Sequence, residues 1–487
     1  MTEQGFARRF IIALALLLAA CTGLSVPALG QNAPPATSTT TTQPDETGQA
    51  PQRKLVRPTI LSYPTTATPA DAQPATTDVA VAAIAPDAVQ PSYQTLLTGD
   101  QGVLVETLDG KLVASLNAEL AYNPASAVKL ATALDALYTF GPQHRFVTAV
   151  WTNGSFDPQT GTITGDLIIS GRDPSFHYEH AVMLAHELNR QGIKTVTGDL
   201  IVAPGFTMNF DWSAQRSGDQ LYDTLDVTRR PARATRAWNE ERAVLHDAAQ
   251  PAESTPSVAV MGAVYVDSVP ANARPLLVHR SSTLVDVLKV LLCYSNNFMA
   301  ERIGDTLGGP QGLRRFLIDK VGLNPAEVSL SSTSGLGINR VTPRAMMKIY
   351  RALREELDKQ QLQPSDIMPV AGIDPGTLQK RYTSDASRGS VIGKTGTLGR
   401  TDGGASALVG QMRTRSGETL LFVIFNRHGS TWRFRQNQDL LVTQIQYSRG
   451  GPAPFAYTPQ TLAMRLNNTE VDPAAAGRTD EYESGSN

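Results

Sequence analysis

Cysteine is nearly absent from this 487-residue chain: there are two, Cys21 and Cys293. Disulfides are thereby excluded as the source of stability, and the fold must stand on an apolar core. Charge of either sign is also sparse, at 18% of residues with a formal net charge of -2. That balance lacks the basic surface that nucleic-acid binding needs. Long apolar runs are missing beyond the extreme N-terminus, so no later segment reads as a membrane span. What is present is ordinary: 41% apolar residues, enough to fill the cores of two or three domains. Cys293 reads as a small buried hydrophobe.

The first 30 residues read as an export signal. Arg8 and Arg9 precede the apolar run Phe10 to Ala20, which is short for a span. Two cleavage readings stay open. Leu18-Ala19-Ala20-Cys21 resembles a bacterial lipobox, with Cys21 lipidated, and is favoured because the cysteine follows the apolar run directly. Ala28-Leu29-Gly30 resembles an ordinary small-residue site. Residues 31–88, rich in Pro, Thr and Ala, read as a disordered tether. Residues 451–487, Pro/Ala-rich and then acidic, read as a disordered tail.

Between them the pattern is mixed helix and strand. Gly102 to Ala114, with Asp109-Gly110 in the middle, is a hairpin signal. Ser126 to Tyr138 has helical spacing. Thr162-Ile-Thr-Gly-Asp-Leu-Ile-Ile-Ser and Thr195-Val-Thr-Gly-Asp-Leu-Ile-Val-Ala are near copies flanking a predicted helix, a repeat too short for a solenoid. Asp166 and Asp199 within it read as turn or capping residues. Residues 207–257 carry no usable period. Ser257 to Val266 reads as a strand. Leu284 to Leu307 is helical but broken at Ser295-Asn296-Asn297. Pro343 to Leu357 is a helix, Ser390 to Lys394 enters a strand, and Ala407–Met412 and Thr419–Phe425 are strands before a last helix, Arg433 to Tyr447.

Three polar motifs carry chemistry. Ser126-Ala-Val-Lys129 puts a lysine one helical turn from a serine, where a desolvated amine can take the hydroxyl proton. Ser-x-x-Lys arises by chance about once or twice in such a chain, so alone it decides nothing. Ser295-Asn296-Asn297 offers a proton relay in Ser295 and an amide in Asn297 for a substrate carbonyl or a lysine. Lys394-Thr395-Gly396-Thr397 lies at a strand edge. There Gly396 leaves room for a substrate backbone, and Lys394, Thr395 and Thr397 supply charge and donors for a terminal carboxylate. The backbone N–H of Thr397 can complete an oxyanion hole with that of Ser126.

In this order the motifs resemble the penicillin-binding protein and serine β-lactamase superfamily. Asn123-Pro-Ala-Ser, Gly165-Asp-Leu-Ile-Ile-Ser-Gly-Arg-Asp-Pro, Tyr294-Ser-Asn-Asn-Phe-Met-Ala-Glu, Ser334-Gly-Leu, Val341-Thr-Pro-Arg and Gly376-Thr-Leu are similar to the insert-containing D-Ala-D-Ala carboxypeptidase/endopeptidase group of low-molecular-mass penicillin-binding proteins. The resemblance implies a multi-domain α+β fold, with a β-lactamase-like transpeptidase core at 89–150 and 275–450 split by an inserted α/β subdomain at 151–274. It implies Ser126, Lys129 and Ser295 as catalytic and Asn297, Lys394, Thr395, Gly396 and Thr397 as substrate-binding residues. It implies peptidoglycan stem peptides as substrates, β-lactams as inhibitors, no metal or cofactor, and an exported protein that meets the membrane only through a lipid on Cys21. Two departures stand out. Ser332-Thr-Ser-Gly-Leu-Gly lacks the acidic residue and the final serine of the group's matching stretch, which leaves that loop without a role. The insert is also short.

Other functions remain in play. A serine β-lactamase that uses a Glu-activated water carries Glu-x-x-Leu-Asn after the second motif, and none lies between Asn297 and Lys394. Glu187-Leu188-Asn189 precedes that motif with the wrong spacing. Tyr294-Ser295-Asn296 also fits the Tyr-x-Asn frame of another lactamase and esterase branch, although Phe298-Met-Ala-Glu and the insert favour Ser-x-Asn. A tethered wall-binding protein with little turnover is the non-enzymatic alternative. D-Ala release separates it from a peptidase.

Overall fold

A computed structural model describes residues 93–97, 100–244 and 255–474. The export signal, Cys21, the tether and residues 475–487 lie outside them.

The fold is α+β, built on two main sheets. The first has five antiparallel strands in the order Val391–Leu398, Ala405–Arg413, Thr419–Arg427, Gln101–Thr107, Leu112–Leu116. Period-two alternation loads both of its faces. Leu104, Val409, Leu421, Val423 and Phe425 face one core, packed against helices Lys129–Phe140, Leu284–Tyr294 and Pro343–Lys359. Val103, Val105, Leu408, Phe422 and Ile424 face the other, under helix Thr431–Tyr447. The strand Val391–Leu398 is an edge. It carries the third motif; Pro369 to Ala371 pair with its start, and past Gly393 its outer row of backbone groups faces no further strand among the described residues.

The second sheet has six strands, in the order Val264–Val266, Leu200–Val202, Leu167–Gly171, Val147–Thr152, Arg274–Arg280, Glu470–Pro473. The expected boundaries at 150 and 275 fall inside two of these strands. The sheet therefore takes in residues on both sides of each.

The internal repeat has three members rather than two. Thr162–Thr164, Thr195–Val196 and Ala259–Val260 stack in parallel, and so do the strands that follow each of them. Each turn is tied to the next by a side chain. Asn153 Oδ1 accepts the Asp166 N–H (2.8 Å), Asp166 Oδ1 accepts the Asp199 N–H (2.9 Å), and Asp199 Oδ1 accepts the Ala263 N–H (2.9 Å). The aspartates are thus turn-capping residues. A Cβ on Gly198 would lie 2.4 Å from Asp166 Oδ1, and one on Gly262 would lie 2.3 Å from Asp199 Oδ1. The third copy escapes a motif search because Ala263 replaces the aspartate and ends the ladder. The stretch without period holds helices Ala214–Leu225 and Ala232–Val244. The first buries only two large apolar side chains, Leu221 and Leu225, too few to set a visible rhythm.

The predicted disordered tail is a correction as far as Ala474. Arg415 N–H donates to Gly451 O, Ala453 N–H to Arg413 O and Phe455 N–H to Gly389 O. Tyr457 donates to Asp374 Oδ1 at 2.7 Å. Leu462 is buried, and Glu470–Pro473 pairs antiparallel with Arg274–Arg280. Prolines suit this path because an irregular strap needs few N–H donors.

Gly198→Ala is expected to cost about 1–3 kcal/mol by overpacking, and Asp199→Ala a similar amount by orphaning the Ala263 N–H. Chemical denaturation of each variant checks both; wild-type midpoints would contradict the ladder's role.

Candidate active site

The site forms where three chain segments touch through their backbones. Pro124 leads into a tight turn, Ala125–Val128, which continues as helix Lys129–Phe140. Ala125 sits at φ +47°, a costly conformation for a residue with a Cβ. Asn123 holds it there: its Oδ1 accepts the Ala125 N–H (3.1 Å) and its amide donates to Gly337 O (3.0 Å). Ser126 therefore stands at the lip of the turn, with Lys129 one turn on.

The second motif sits at the predicted helix break. Helix Leu284–Tyr294 ends with Ser295 in the left-handed region (φ +57°, ψ 40°), and Asn297 starts the next helix. Gly376 and Thr377 press on this corner. Thr377 N–H donates to Cys293 O at 3.0 Å, and a Cβ on Gly376 would lie 2.1 Å from that oxygen. The third motif runs along the edge strand. Gly396 is required there by the chain itself: its Cβ would lie 2.5 Å from Pro124 O and 3.0 Å from Ala125 Cβ. The space expected for substrate beside Gly396 is filled by the turn that carries Ser126.

The polar atoms meet in the order expected. Lys129 Nζ lies 3.0 Å from Ser126 Oγ, 2.7 Å from Asn297 Oδ1 and 2.6 Å from Ser334 O. Lys394 Nζ lies 2.8 Å from Ser295 Oγ and 2.7 Å from Thr395 O. Both lysines are 0% exposed. Burial, helped by the Lys394 charge, holds the Lys129 amine well below the usual lysine range, with Glu301 pulling slightly the other way. Burial alone pushes Lys394 down to about 7. Gly393 N–H donates to Pro369 O, away from the neighbouring strand. Strand alternation then turns the N–H groups of Thr395 and Thr397 to the same open edge.

Ser126, Ser295, Asn297, Thr395 and Thr397 open onto one cleft of roughly 540 Å³, whose far wall includes Trp432 and Arg435. Lys129 and Lys394 lie beneath its floor. Lys394 meets the cleft through Ser295, since its amine lies below the floor against Ser295 Oγ and Thr395 O.

Sequence comparison agrees with this constellation. Residues 82–220 and 225–446 match the D-Ala-D-Ala carboxypeptidase 3 (S13) family. The chain belongs to that family. It is 27% identical over 358 residues to a carboxypeptidase of Mycobacterium tuberculosis, covering 66% of this chain and 75% of that one. Among solved structures it resembles a predatory peptidoglycan endopeptidase from Bdellovibrio bacteriovorus, with a TM-score of 0.63 at 20% identity, covering 77% and 99% of the two chains. It also resembles penicillin-binding protein 4 of Haemophilus influenzae in complex with a β-lactam, with a TM-score of 0.55 at 22% identity, covering 74% and 98%. The S13 assignment makes the chain a serine peptidase, and the solved structures share its α+β transpeptidase fold.

Two residues of this site, Ser334 and Glu301, lie in stretches that carry the family resemblance, yet the three motifs assign them no role. Ser334 contributes its carbonyl, which any residue could supply, so no side-chain pattern marks it. Glu301 sets that carbonyl by accepting from Thr333 Oγ1 (2.7 Å) and Ser334 N–H (3.0 Å). The loop left without a role for want of an acid and a serine therefore acts through its backbone. Gly335 lets it approach: a Cβ there would lie 1.9 Å from Ala125 O.

The buried lysines should make stability depend on pH. Lys394 titrates near 7 in the fold and near 10.4 when unfolded. Between these values the unfolded chain binds the extra proton, so stability should rise with pH by about 1.4 kcal/mol per unit for this group. Lys394→Met should lose that slope. Denaturation from pH 7 to 10 reads it, and parallel slopes in both proteins would rule the depressed value out.

Proposed function

We propose that this chain is a serine-type D-Ala-D-Ala carboxypeptidase of peptidoglycan stem peptides, with Ser126 as nucleophile and Lys129 as its base. The observation that carries this is the set of three contacts around Lys129 Nζ. A neutral amine has two N–H bonds and one lone pair. Asn297 Oδ1 and Ser334 O can only accept, so they take the two N–H bonds. The lone pair is left for the Ser126 hydroxyl, which is the geometry of a general base.

Ser126 Oγ attacks the carbonyl of the penultimate D-Ala as its proton passes to Lys129. The developing oxyanion is held by the N–H groups of Ser126 and Thr397. Collapse breaks the C–N bond. Ser295 gives its proton to the leaving nitrogen and takes one from Lys394, and free D-Ala departs. The two lysines hold one proton between them before and after, which their mutual repulsion favours. Proton transfer from Lys129 back to Lys394 restores the base. Water then adds to the ester as Lys129 takes one of its protons, the bond to Ser126 Oγ breaks, and Lys129 returns that proton to Ser126. A β-lactam follows the same first step, but its leaving nitrogen stays tethered and obstructs water. The missing Glu-x-x-Leu-Asn fits slow release of that adduct. Glu301, the acid nearest the second motif, is committed to Thr333 and Ser334.

The open part of the edge strand, after Gly393, suits a peptide that adds as a strand, whether a free stem or a cross-linked one, so endopeptidase action on the same site is included. The residues around 147–280 constitute the subdomain inserted between the first two motifs. The N-terminal apolar run supports export, with a lipid on Cys21 as anchor. No helix among the described residues is long and apolar enough to cross a membrane.

Ser126→Ala should cut D-Ala release from a pentapeptide by about 10³-fold or more, and Ser295→Ala by about 100-fold. Equal rates in wild type and Ser126→Ala would sink the assignment. Rapid penicillin turnover without D-Ala release would favour a β-lactamase instead.

A further inference from the structure

A substrate ending in D-Ala brings a carboxylate one residue beyond the carbonyl that Ser126 attacks, and some cation in the cleft must meet it. Three line the cleft: Lys380, Arg381 and Arg435. Lys394 does not, because it is wholly buried and its amine serves Ser295 Oγ and Thr395 O. Arg381 is nearly buried and already neutralised. Its Nε donates to Asp439 Oδ1 at 2.8 Å, and its Nη2 lies 2.6 Å from the same oxygen and 3.3 Å from Gln438 Oε1. Lys380 is exposed at the rim, where an ammonium stays hydrated.

Arg435 is also exposed and lies near Asp439, but it is the one of the three with a hydrogen bond to the edge strand. It projects from the first turns of helix Thr431–Tyr447 towards the edge strand, and its Nη2 donates to Thr397 Oγ1 at 2.9 Å. Among the described residues it makes no hydrogen bond to a carboxylate. The planar fork keeps further N–H groups to offer. Thr397 is also the residue whose backbone N–H faces the open edge, beside the place where the scissile carbonyl must sit. A carboxylate one residue further along the substrate therefore arrives at the Thr397 hydroxyl and the Arg435 guanidinium together.

We propose that Arg435 binds the substrate's terminal carboxylate, in a seat shared with the Thr397 hydroxyl, while Lys394 works one layer below on Ser295. The assignment rests on the carboxypeptidase function proposed above and adds a specificity residue to it. It also explains why the third motif's lysine can be sealed beneath the floor: the charge that reads the substrate comes from a different element, the helix behind the edge strand.

The test compares a peptide ending in D-Ala-D-Ala as free acid with the same peptide as its C-terminal amide. Wild type should favour the acid through KM. Arg435→Gln should raise KM for the acid about 10–100-fold, the worth of a charge-assisted hydrogen bond. It should leave the amide nearly unchanged, so the acid preference collapses. Arg435→Lys should restore part of it. Melting temperatures of the variants establish that they fold, and Arg435→Ala serves as a second deletion should Gln retain a contact. An acid preference that survives in both deletions overturns the assignment. So does a preference lost in Lys380→Ala and kept in Arg435→Gln, which would move the seat to Lys380. If wild type releases neither D-Ala from the acid nor D-alaninamide from the amide, the carboxypeptidase function fails, and this seat fails with it.

Discussion

The surroundings of one amine organise this molecule. Lys129 Nζ has three oxygen neighbours within 3.0 Å and no exposure to water. An ammonium there is disfavoured by burial and by the second buried lysine nearby. The fold bears that cost because each of the three oxygens comes from a different segment. Ser126 lies in the turn that leads into the lysine's helix, Asn297 starts the helix after the break at Ser295, and Ser334 comes from a loop pinned by Glu301. Moving the Asn297 or the Ser334 segment would leave a buried N–H without its acceptor, which is a penalty of about 1–3 kcal/mol. The same contacts that make the lysine a poor ammonium also fix the relation of the segments.

Close backbone approach is the means. Gly335 meets Ala125 O, Gly376 meets Cys293 O, and Gly396 meets Pro124 O, each at a distance no Cβ would allow. These three glycines belong to three different segments, and each lies against a residue within two of Ser126 or Ser295. Two residues with side chains, Ala125 and Ser295, take left-handed backbone angles at the same places. Strain of this kind persists only where the surroundings overdetermine it. Behind Ser295, Lys289 and Asp374 form a buried pair at 2.7 Å that ties helix Leu284–Tyr294 to the loop carrying Gly376. The returning C-terminal strap adds Tyr457 to that pair.

What was legible in the sequence was whatever depended on side-chain identity at fixed spacing. Ser126 and Lys129 one turn apart, the helix break at Ser295 and the edge strand at Lys394 all lie where spacing put them, and the Asp109-Gly110 hairpin forms as its turn residues require. What escaped depended on backbone or on distant partners. Ser334 offers a carbonyl, Ala263 receives a hydrogen bond through its N–H, and neither leaves a mark in composition. The strap from Gly451 to Ala474 looked like tail because its prolines and alanines are poor in period. Its anchors, Phe455, Tyr457 and Leu462, are too widely spaced to read as an element. Gly396 was placed in the site for the wrong reason: the backbone it accommodates is the protein's own. Lys394 was given the right neighbourhood and the wrong depth, since nothing in a four-residue string tells floor from wall.

A proton count on Lys129 bears most directly on the central claim. Nitrogen NMR of protein labelled at lysine Nζ, with Lys129→Arg used to assign the signal, would follow its titration. A neutral amine that takes up its proton well below the usual lysine range is the expected result. An Nζ signal that stays that of an ammonium up to pH 9 would contradict the account, because Lys129 would then have no lone pair to offer Ser126.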